Sequence, residues 1–412
     1  MLKGFYQCKR DNDLKTALML IKHAHQIDPQ DIDVLNDMAV LFVRLEKWDE
    51  AIETAKKAFH IDALHINILD ALSHAYGAKH DWQQCSIYGS LALQLRDREI
   101  ARDCPTPPVL LPMSPNQGQN ILSFSLYGDK PAYLEPAVLN AELVNKIYPG
   151  WIAYFYVDDS VPEEAIQRLK NPYTKIIKVT DEQAKLPGTM WRFLAMNEVG
   201  ANYVLFRDAD SVISRREAHA VAEWIQSGQR FHTIRDSGSH TALILAGLWG
   251  AKAQSVPDMW GKMLAYMQEN PVHHRFSDQF FLGDKIWPYA RQDVYASDRI
   301  FHFMNAHPIP DQAFFNYSIT HIGCAEGGTT FNLRSKNPEE LPMGCRVRWQ
   351  LYSKIDPFLN PDLSHNLREE RLICEYSALV TKQGEFSGNI LRVYARGFDD
   401  KTSRISFRKI ED

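Results

Sequence analysis

The feature that most limits what this chain can fold into is a period. Written in rows of 34, residues 1–97 bring Ala17, Ala51 and Cys85 into one column and Ala24, Ala58 and Ala92 into another. Larger apolar residues keep the same spacing, with Leu35 over Leu69, Met38 over Leu72, Phe42 over Tyr76 and Trp48 over Trp82. A unit this short cannot bury a core alone, so each must stack on the next. Small columns let the two helices of a unit approach closely, and large columns fill the space between units. An arbitrary helical bundle would not hold so many columns in step.

Two antiparallel helices per 34 residues resemble the tetratricopeptide repeat. Pro29 stands at that family's terminal proline, and Ala63 replaces it in the next unit. The resemblance covers an all-α domain over 1–103 and implies a binding or assembly surface, not chemistry. Fewer than three full units leave an apolar helical face needing a neighbour, which could be the catalytic domain, a second copy of the chain or a protein acceptor; a homodimer through residues 1–97 is the favoured expectation. Trp48, Trp82 and Tyr88 read as packing residues.

The texture then breaks. Pro105, Pro107, Pro108, Pro112 and Pro115, with Asn116 and Gly118, make 104–119 a proline-rich linker. Beyond it, short apolar runs alternate with helical patterns. Strands are predicted at Ile121–Leu126, Trp151–Val157, Lys175–Val179 and Tyr203–Phe206, with helices between them. That alternation argues an α/β domain over 120–330 with a largely parallel, doubly wound sheet. Ligands in such sheets bind at the carboxyl ends of the strands.

The fourth strand delivers Arg207-Asp208-Ala209-Asp210-Ser211 to that edge. Residues two apart on an extended segment share a face and lie about 6.6 Å apart. Two carboxylates so placed can hold one hard divalent cation and leave its other positions to phosphate oxygens. Asp210 would equally suit a helix N-cap for 211–222.

Here the chain resembles the GT-A glycosyltransferases, a Rossmann-like fold that binds a nucleotide-sugar through a metal on an Asp-x-Asp. The matching blocks are Ser125-Leu126-Tyr127-Gly128, Gly188-Thr189-Met190-Trp191-Arg192-Phe193, the metal motif, Arg235-Asp236 with His240, Ala246-Gly247-Leu248-Trp249-Gly250, Ser277-Asp278-Gln279 and His321-Ile322-Gly323. The resemblance implies that Ser125, Tyr127, Asp208, Arg192, Arg207 and Gly247 contact the nucleotide-sugar. It implies Asp208, Asp210 and a late histidine as ligands to Mn²⁺ or Mg²⁺; His321, among glycines, leads His240 and His302 for that role. Arg207 and Arg192 have ion pairs as their rival roles, and Trp191 and Trp249 read as core. Asp278 is the expected catalytic carboxylate, a general base if the anomeric centre inverts, with Asp236 its rival. Adjacent His273-His274 read as a solvated turn.

Residues 331–412 form an extension that is partly β, with a hairpin expected over 391–410 around Gly397-Phe398-Asp399-Asp400. With 46 basic against 51 acidic residues and a net charge of −5, the chain is no general polyanion binder, so no nucleic-acid partner is expected. Six cysteines without a C-x-x-C pair fit reduced thiols in the cytoplasm. No apolar signal segment opens the chain, and its longest apolar run, 242–251, is half a membrane span, which leaves peripheral attachment at the cytosolic membrane face open. The combined expectation is a metal-dependent glycosyltransferase acting on a saccharide, glycolipid or protein acceptor. A non-catalytic repeat adaptor that binds a nucleotide-sugar is the rival. A sugar-phosphate nucleotidyltransferase is disfavoured because Tyr127-Gly128-Asp129-Lys130 is no glycine-rich phosphate loop.

Overall fold

The computed structural model describes residues 2–100, 104–110, 118–271, 275–309, 321–358 and 365–410. Pro112, Pro115, Asn116 and His273-His274 lie outside them.

Six helices come first: α1 (Leu2–Arg10), α2 (Leu14–Ile27), α3 (Ile32–Arg44), α4 (Trp48–Ile61), α5 (Ile66–Ala78) and α6 (Trp82–Ile100). Their starts are local chemistry. Asp13 accepts Thr16 N–H at the head of α2, and Asp31 accepts Asp33 and Val34 N–H at the head of α3. Both small-residue columns are buried: Ala17, Ala51, Cys85, Ala58 and Ala92 are fully covered and Ala24 nearly so. Tyr88 stacks on Tyr76 and meets Phe59 edge-on, so the aromatic column does pack between helices. The helices make three pairs, the first of them short.

A seven-stranded mixed sheet follows, in the order β3-β2-β1-β4-β6-β5-β7. The strands are β1 (Gln119–Leu126), β2 (Trp151–Val157), β3 (Thr174–Lys178), β4 (Ala201–Arg207), β5 (Phe231–Arg235), β6 (Leu248–Lys252) and β7 (Val294–Asp298). β1 pairs in parallel with both β2 and β4, whereas β6 runs antiparallel to β4 and β5. The strand order reverses direction at β1, which opens a crevice beyond the carboxyl ends of β1 and β4. Helices α7 (Pro131–Ile147), α8 (Glu163–Leu169) and α9 (Arg215–Ser227) flank the sheet, with α10 (Met259–Glu269), α11 (Ser277–Phe281) and a 3-10 helix at Gly188–Asn197.

The helical units do not stand apart from this sheet. One continuous core runs from Ala17 and Leu35 through Trp287 and Phe301 to Phe193 and Trp249. Asp97 of α6 accepts Trp287 Nε1 at 2.7 Å and pairs with Arg291 at 2.9 Å. Even the described part of the proline-rich segment is tied down, since the Pro108 carbonyl accepts Arg230 Nη1 at 2.7 Å. These contacts bear on two expectations. The apolar face assigned to a second copy is covered by the same chain, which removes the physical argument for a homodimer there. Of the proline-rich segment, the described residues 104–110 likewise bond to the sheet domain through the Pro105 and Pro108 carbonyls.

A second core lies on the other sheet face, where Leu122, Phe124 and Phe155 meet α7 and the C-terminal residues Trp349, Phe386 and Tyr394. Those residues belong to two small sheets, β10-β9-β12 and β11-β8, built from β8 (Thr329–Arg334), β9 (Arg346–Asp356), β10 (His365–Leu379), β11 (Glu385–Ile390) and β12 (Ser403–Lys409). The hairpin expected over 391–410 is absent: Arg392–Ala395 is helical and β12 pairs with β9. Among the described residues, no helix is long and apolar enough to cross a membrane.

Candidate active site

The crevice between β1 and β4 collects charge on a single guanidinium. β1 ends in Leu126 and hands on to Tyr127, a half-exposed ring set edge-on to buried Trp191. β4 ends in Arg207 and hands on to Asp208, Ala209 and Asp210. Between them the 3-10 helix is locked to β1 from both sides: Ser123 Oγ donates to the Arg192 carbonyl at 2.7 Å, and Arg192 N–H donates to Ser125 Oγ at 2.9 Å. That clamp holds the buried Arg192 side chain where it reaches both Asp208 and Asp278.

Its two terminal nitrogens divide their bonds. Nη1 reaches Asp208 Oδ1 at 2.5 Å and the Arg207 carbonyl at 3.2 Å, while Nη2 reaches Asp278 Oδ2 at 2.9 Å. Asp278 comes from α11, more than 80 residues away in sequence (|i−j| = 86). The second oxygen of Asp208 faces Gly247, where a Cβ would lie 1.9 Å away, so only glycine lets the chain pass this carboxylate. Gln279 fixes that passing strand by donating to the Ile244 carbonyl and accepting Ala246 N–H at 3.0 Å.

Asp210 lies on the other side of the turn. The segment 321–326 runs beside it, with Ala325 bridged to Ser211 and Glu326 N–H donating to the Asp210 carbonyl at 2.8 Å. Burial and the neighbouring Asp208 charge push the Asp210 carboxyl up to about 6, against partial relief from Arg192 and the exposed Arg275. Burial also raises Asp278, with Arg192 opposing it. A carboxylate raised by a like charge is one that a cation would relieve.

Several expected roles change. Arg207 is buried and faces away from the crevice: its Nε pairs with Glu217 at 2.7 Å and Nη1 donates to the Phe206 and Trp249 carbonyls at 2.8 Å. It is a core residue, not a diphosphate contact. Asp236 is fully buried, gripped by both terminal nitrogens of Arg216, and accepts Ile322 N–H at 2.8 Å, so it is a structural tie and no rival base. Ser125 is also buried, and its Oγ is engaged with Arg192 N–H. Asp210 caps no helix, because α9 starts at Arg215 behind Ser214.

The histidines part company with the metal motif. His321 sets its ring edge against His240 at 4.9 Å, and its Nδ1 lies 3.0 Å from the Ile322 carbonyl. His240 Nδ1 accepts Asp236 N–H at 3.0 Å, and burial holds this imidazole well below the usual histidine range. His302 is exposed, with φ 52°, and lies outside the strands. Among the described residues, no group of three or more His, Cys, Asp or Glu side chains could hold a metal. The expected Asp208, Asp210 and His321 triad is therefore not assembled. Asp208 and Asp210 remain as two carboxylates just beyond the end of β4. Trp191 and Trp249 are core, as read.

Two residues gain roles the sequence did not give them. Gln279 clamps the segment that leads to Gly247, and the exposed Arg275 joins Arg192 in opposing the rise of the Asp210 carboxyl. The buried pair behind the site also makes a testable point. Glu217→Gln removes the charge that Arg207 needs, with Tyr148 Oη donating to the same carboxylate at 2.7 Å. Breaking a buried pair costs about 3–5 kcal/mol. Chemical denaturation should show a loss of that order, and an unchanged midpoint would refute the structural assignment of Arg207.

No protein-family model matches the chain, and no curated protein matches it. Among solved structures, MamA MSR-1 C2 is similar at 18% identity over 22% of this chain and 51% of its own, with a TM-score of 0.21. A mutant O-GlcNAc transferase of Thermobaculum terrenum is similar at 15% identity over 50% of this chain and 45% of its own, with a TM-score of 0.28. The galactosyltransferase LgtC, solved with donor and acceptor sugar analogs, is similar at 14% identity over 43% of this chain and 73% of its own, with a TM-score of 0.31. This chain thus spans about half the length of the first two, 51% and 45%. At such TM-scores the fold and the site rest on the chain's own geometry.

Proposed function

We propose that this chain is a glycosyltransferase that moves a sugar from a nucleotide-diphosphate donor to a saccharide, glycolipid or protein hydroxyl, with a divalent cation on Asp208 and Asp210. The observation that carries this reading is the convergence of Asp208 and Asp278 on the Arg192 guanidinium, at the carboxyl ends of β1 and β4 where the strand order reverses. A bound cation would offset diphosphate charge and stabilise the departing nucleotide as a Lewis acid. The chain's own residues do the remainder. Asp208 and Asp210 supply the negative oxygens, and Gly247 leaves room for the Asp208 carboxylate beside it. Arg192 holds Asp278 at a fixed distance from Asp208. Asp278, whose carboxyl burial raises, would accept the acceptor hydroxyl proton. Tyr127 offers an exposed ring at the mouth, where a nucleobase or sugar could rest.

The test is a thermal-shift screen of UDP-, GDP-, CDP- and ADP-sugars with and without Mn²⁺, followed by turnover of any ligand found. A donor at a hundred times its dissociation constant adds about 2.7 kcal/mol of stability. We expect a Mn²⁺-dependent rise for one nucleotide class and release of the nucleoside diphosphate on turnover. No rise with any of them would refute donor binding. A rise without turnover on any acceptor would favour a non-catalytic, sugar-nucleotide-binding adaptor.

A further inference from the structure

The turn between β5 and β6 has two holders on opposite sides. At its base, buried Asp236 binds Arg216 of α9 and the Ile322 N–H that opens the segment running beside Asp210. His240 closes the turn onto Asp236 N–H. Its tip and exit belong to the helical repeats. Ser73 of α5 donates to the Gly238 carbonyl at 2.8 Å, and Arg96 of α6, held by Asp70, donates to the Thr241 carbonyl at 3.0 Å. Gly77 and Gly238 meet backbone to backbone, and a Cβ on Gly77 would lie 2.9 Å from Gly238 Cα. Past Thr241 the chain runs on to Ala246 and Gly247, against Asp208.

Both flanks of the Asp-x-Asp therefore trace back to one repeat. The geometry points to Ser73, Gly77 and Arg96 as positioning residues for the site, acting through the turn at 236–241 on Ile322 and Asp210 and, along 242–247, on Asp208. The third helical pair is then part of the scaffold of the site and not a tethered accessory. This rests on the reading of the site as a cation and donor centre, but the positioning itself can be read without any ligand. Close-packed interfaces transmit small displacements because they have no slack to absorb them. The repeats grip this turn with two glycines in backbone contact and two hydrogen bonds to carbonyls.

The test uses the full chain and three variants. Gly77→Ala wedges the interface open, and Ser73→Ala removes a hydrogen bond without adding bulk, which keeps the question answerable if the first variant does not fold. Ala17→Gly weakens the repeats by about 1 kcal/mol inside α2, away from the turn, and serves as control. Hydrogen exchange at the Ile322 and Glu326 amides is measured without ligand, and Mn²⁺-dependent affinity for UDP, GDP, CDP and ADP is measured well below the unfolding temperature. We expect both interface variants to exchange faster at Ile322 and Glu326 than the parent, while β2 amides stay protected. Affinity should fall about three- to tenfold, with neither change in Ala17→Gly. Unchanged exchange at these amides would overturn the inference, and so would equal changes in the control. Faster exchange with unchanged affinity would make the contact merely structural and overturn it as well. A parent that binds none of UDP, GDP, CDP and ADP with Mn²⁺ would instead defeat the functional reading, and the exchange at Ile322 and Glu326 would then decide the positioning alone.

Discussion

Asp210→Ala should remove Mn²⁺-dependent nucleoside-diphosphate binding, by at least about a hundredfold, and leave the metal-free fold no weaker than the parent. The two halves of that result have one cause. Burial beside Asp208 pushes the Asp210 carboxyl up to about 6, well above its ordinary 3.8. A carboxyl raised in the folded state supports the fold below the ordinary value, and that support is lost as the pH rises through about 6. At pH 7.5 the ionised group therefore strains the metal-free protein, and its removal should not lower the unfolding temperature. A cation reverses the balance, since it needs the ionised form that burial disfavours. Parent affinity for Mn²⁺ should accordingly weaken as the pH falls through about 6, where the proton competes. Isothermal titration with Mn²⁺ and UDP or GDP at pH 7.5 and 5.5 reads both effects. Equal affinity in mutant and parent would end the metal assignment.

How far the sequence reached is clearest along β4. Alternation places Tyr203, Leu205 and Arg207 on one face and Val204, Phe206 and Asp208 on the other. Tyr203 meets Trp224 of α9, while Phe206 meets Phe193 beside Arg192. The period-2 signal thus already sorted Arg207 into the core and Asp208 toward the crevice, and grouping them as ligand contacts ignored it. Asp236 was harder. It directly follows a strand buried along its whole length, and its partners Arg216 and Ile322 lie far off in sequence. The repeat period was fully legible because it is local and self-similar. Its docking was not, since nothing local to Gly77 and Gly89 says that they admit Gly238 and Phe301 from beyond the linker. The reversed strand β6 was hidden for the same reason: nothing in four buried residues and a half-buried Lys252 announces their direction.

Asp278→Asn should lower turnover by about 10²- to 10⁴-fold while donor affinity changes less than about tenfold. Both oxygens of Asp278 accept bonds from N–H donors, Oδ2 from Arg192 at 2.9 Å and Oδ1 from Gln279 N–H at 2.9 Å. An amide can satisfy only one of these donors and must set its own NH₂ against the other. The substitution is therefore not silent, and its positional cost must be separated from the loss of a base. A facing pair of N–H donors costs about 1–3 kcal/mol and acts on ground and transition states alike. Loss of the base acts on the chemical step alone and would erase the acidic limb of the pH–rate profile that a raised carboxyl produces. Arg192→Lys supplies the complementary reading, because an ammonium cannot span two carboxylates as the planar guanidinium does. It should loosen Asp208 and Asp278 together, so that donor affinity and turnover both fall. If Asp278→Asn keeps its acidic limb and loses under tenfold in turnover, Asp278 serves only to hold Arg192. With Asp236 buried against Arg216, no rival from the sequence reading then remains, and a retaining mechanism without a protein base becomes the reading to pursue, checked by the anomeric configuration of the product.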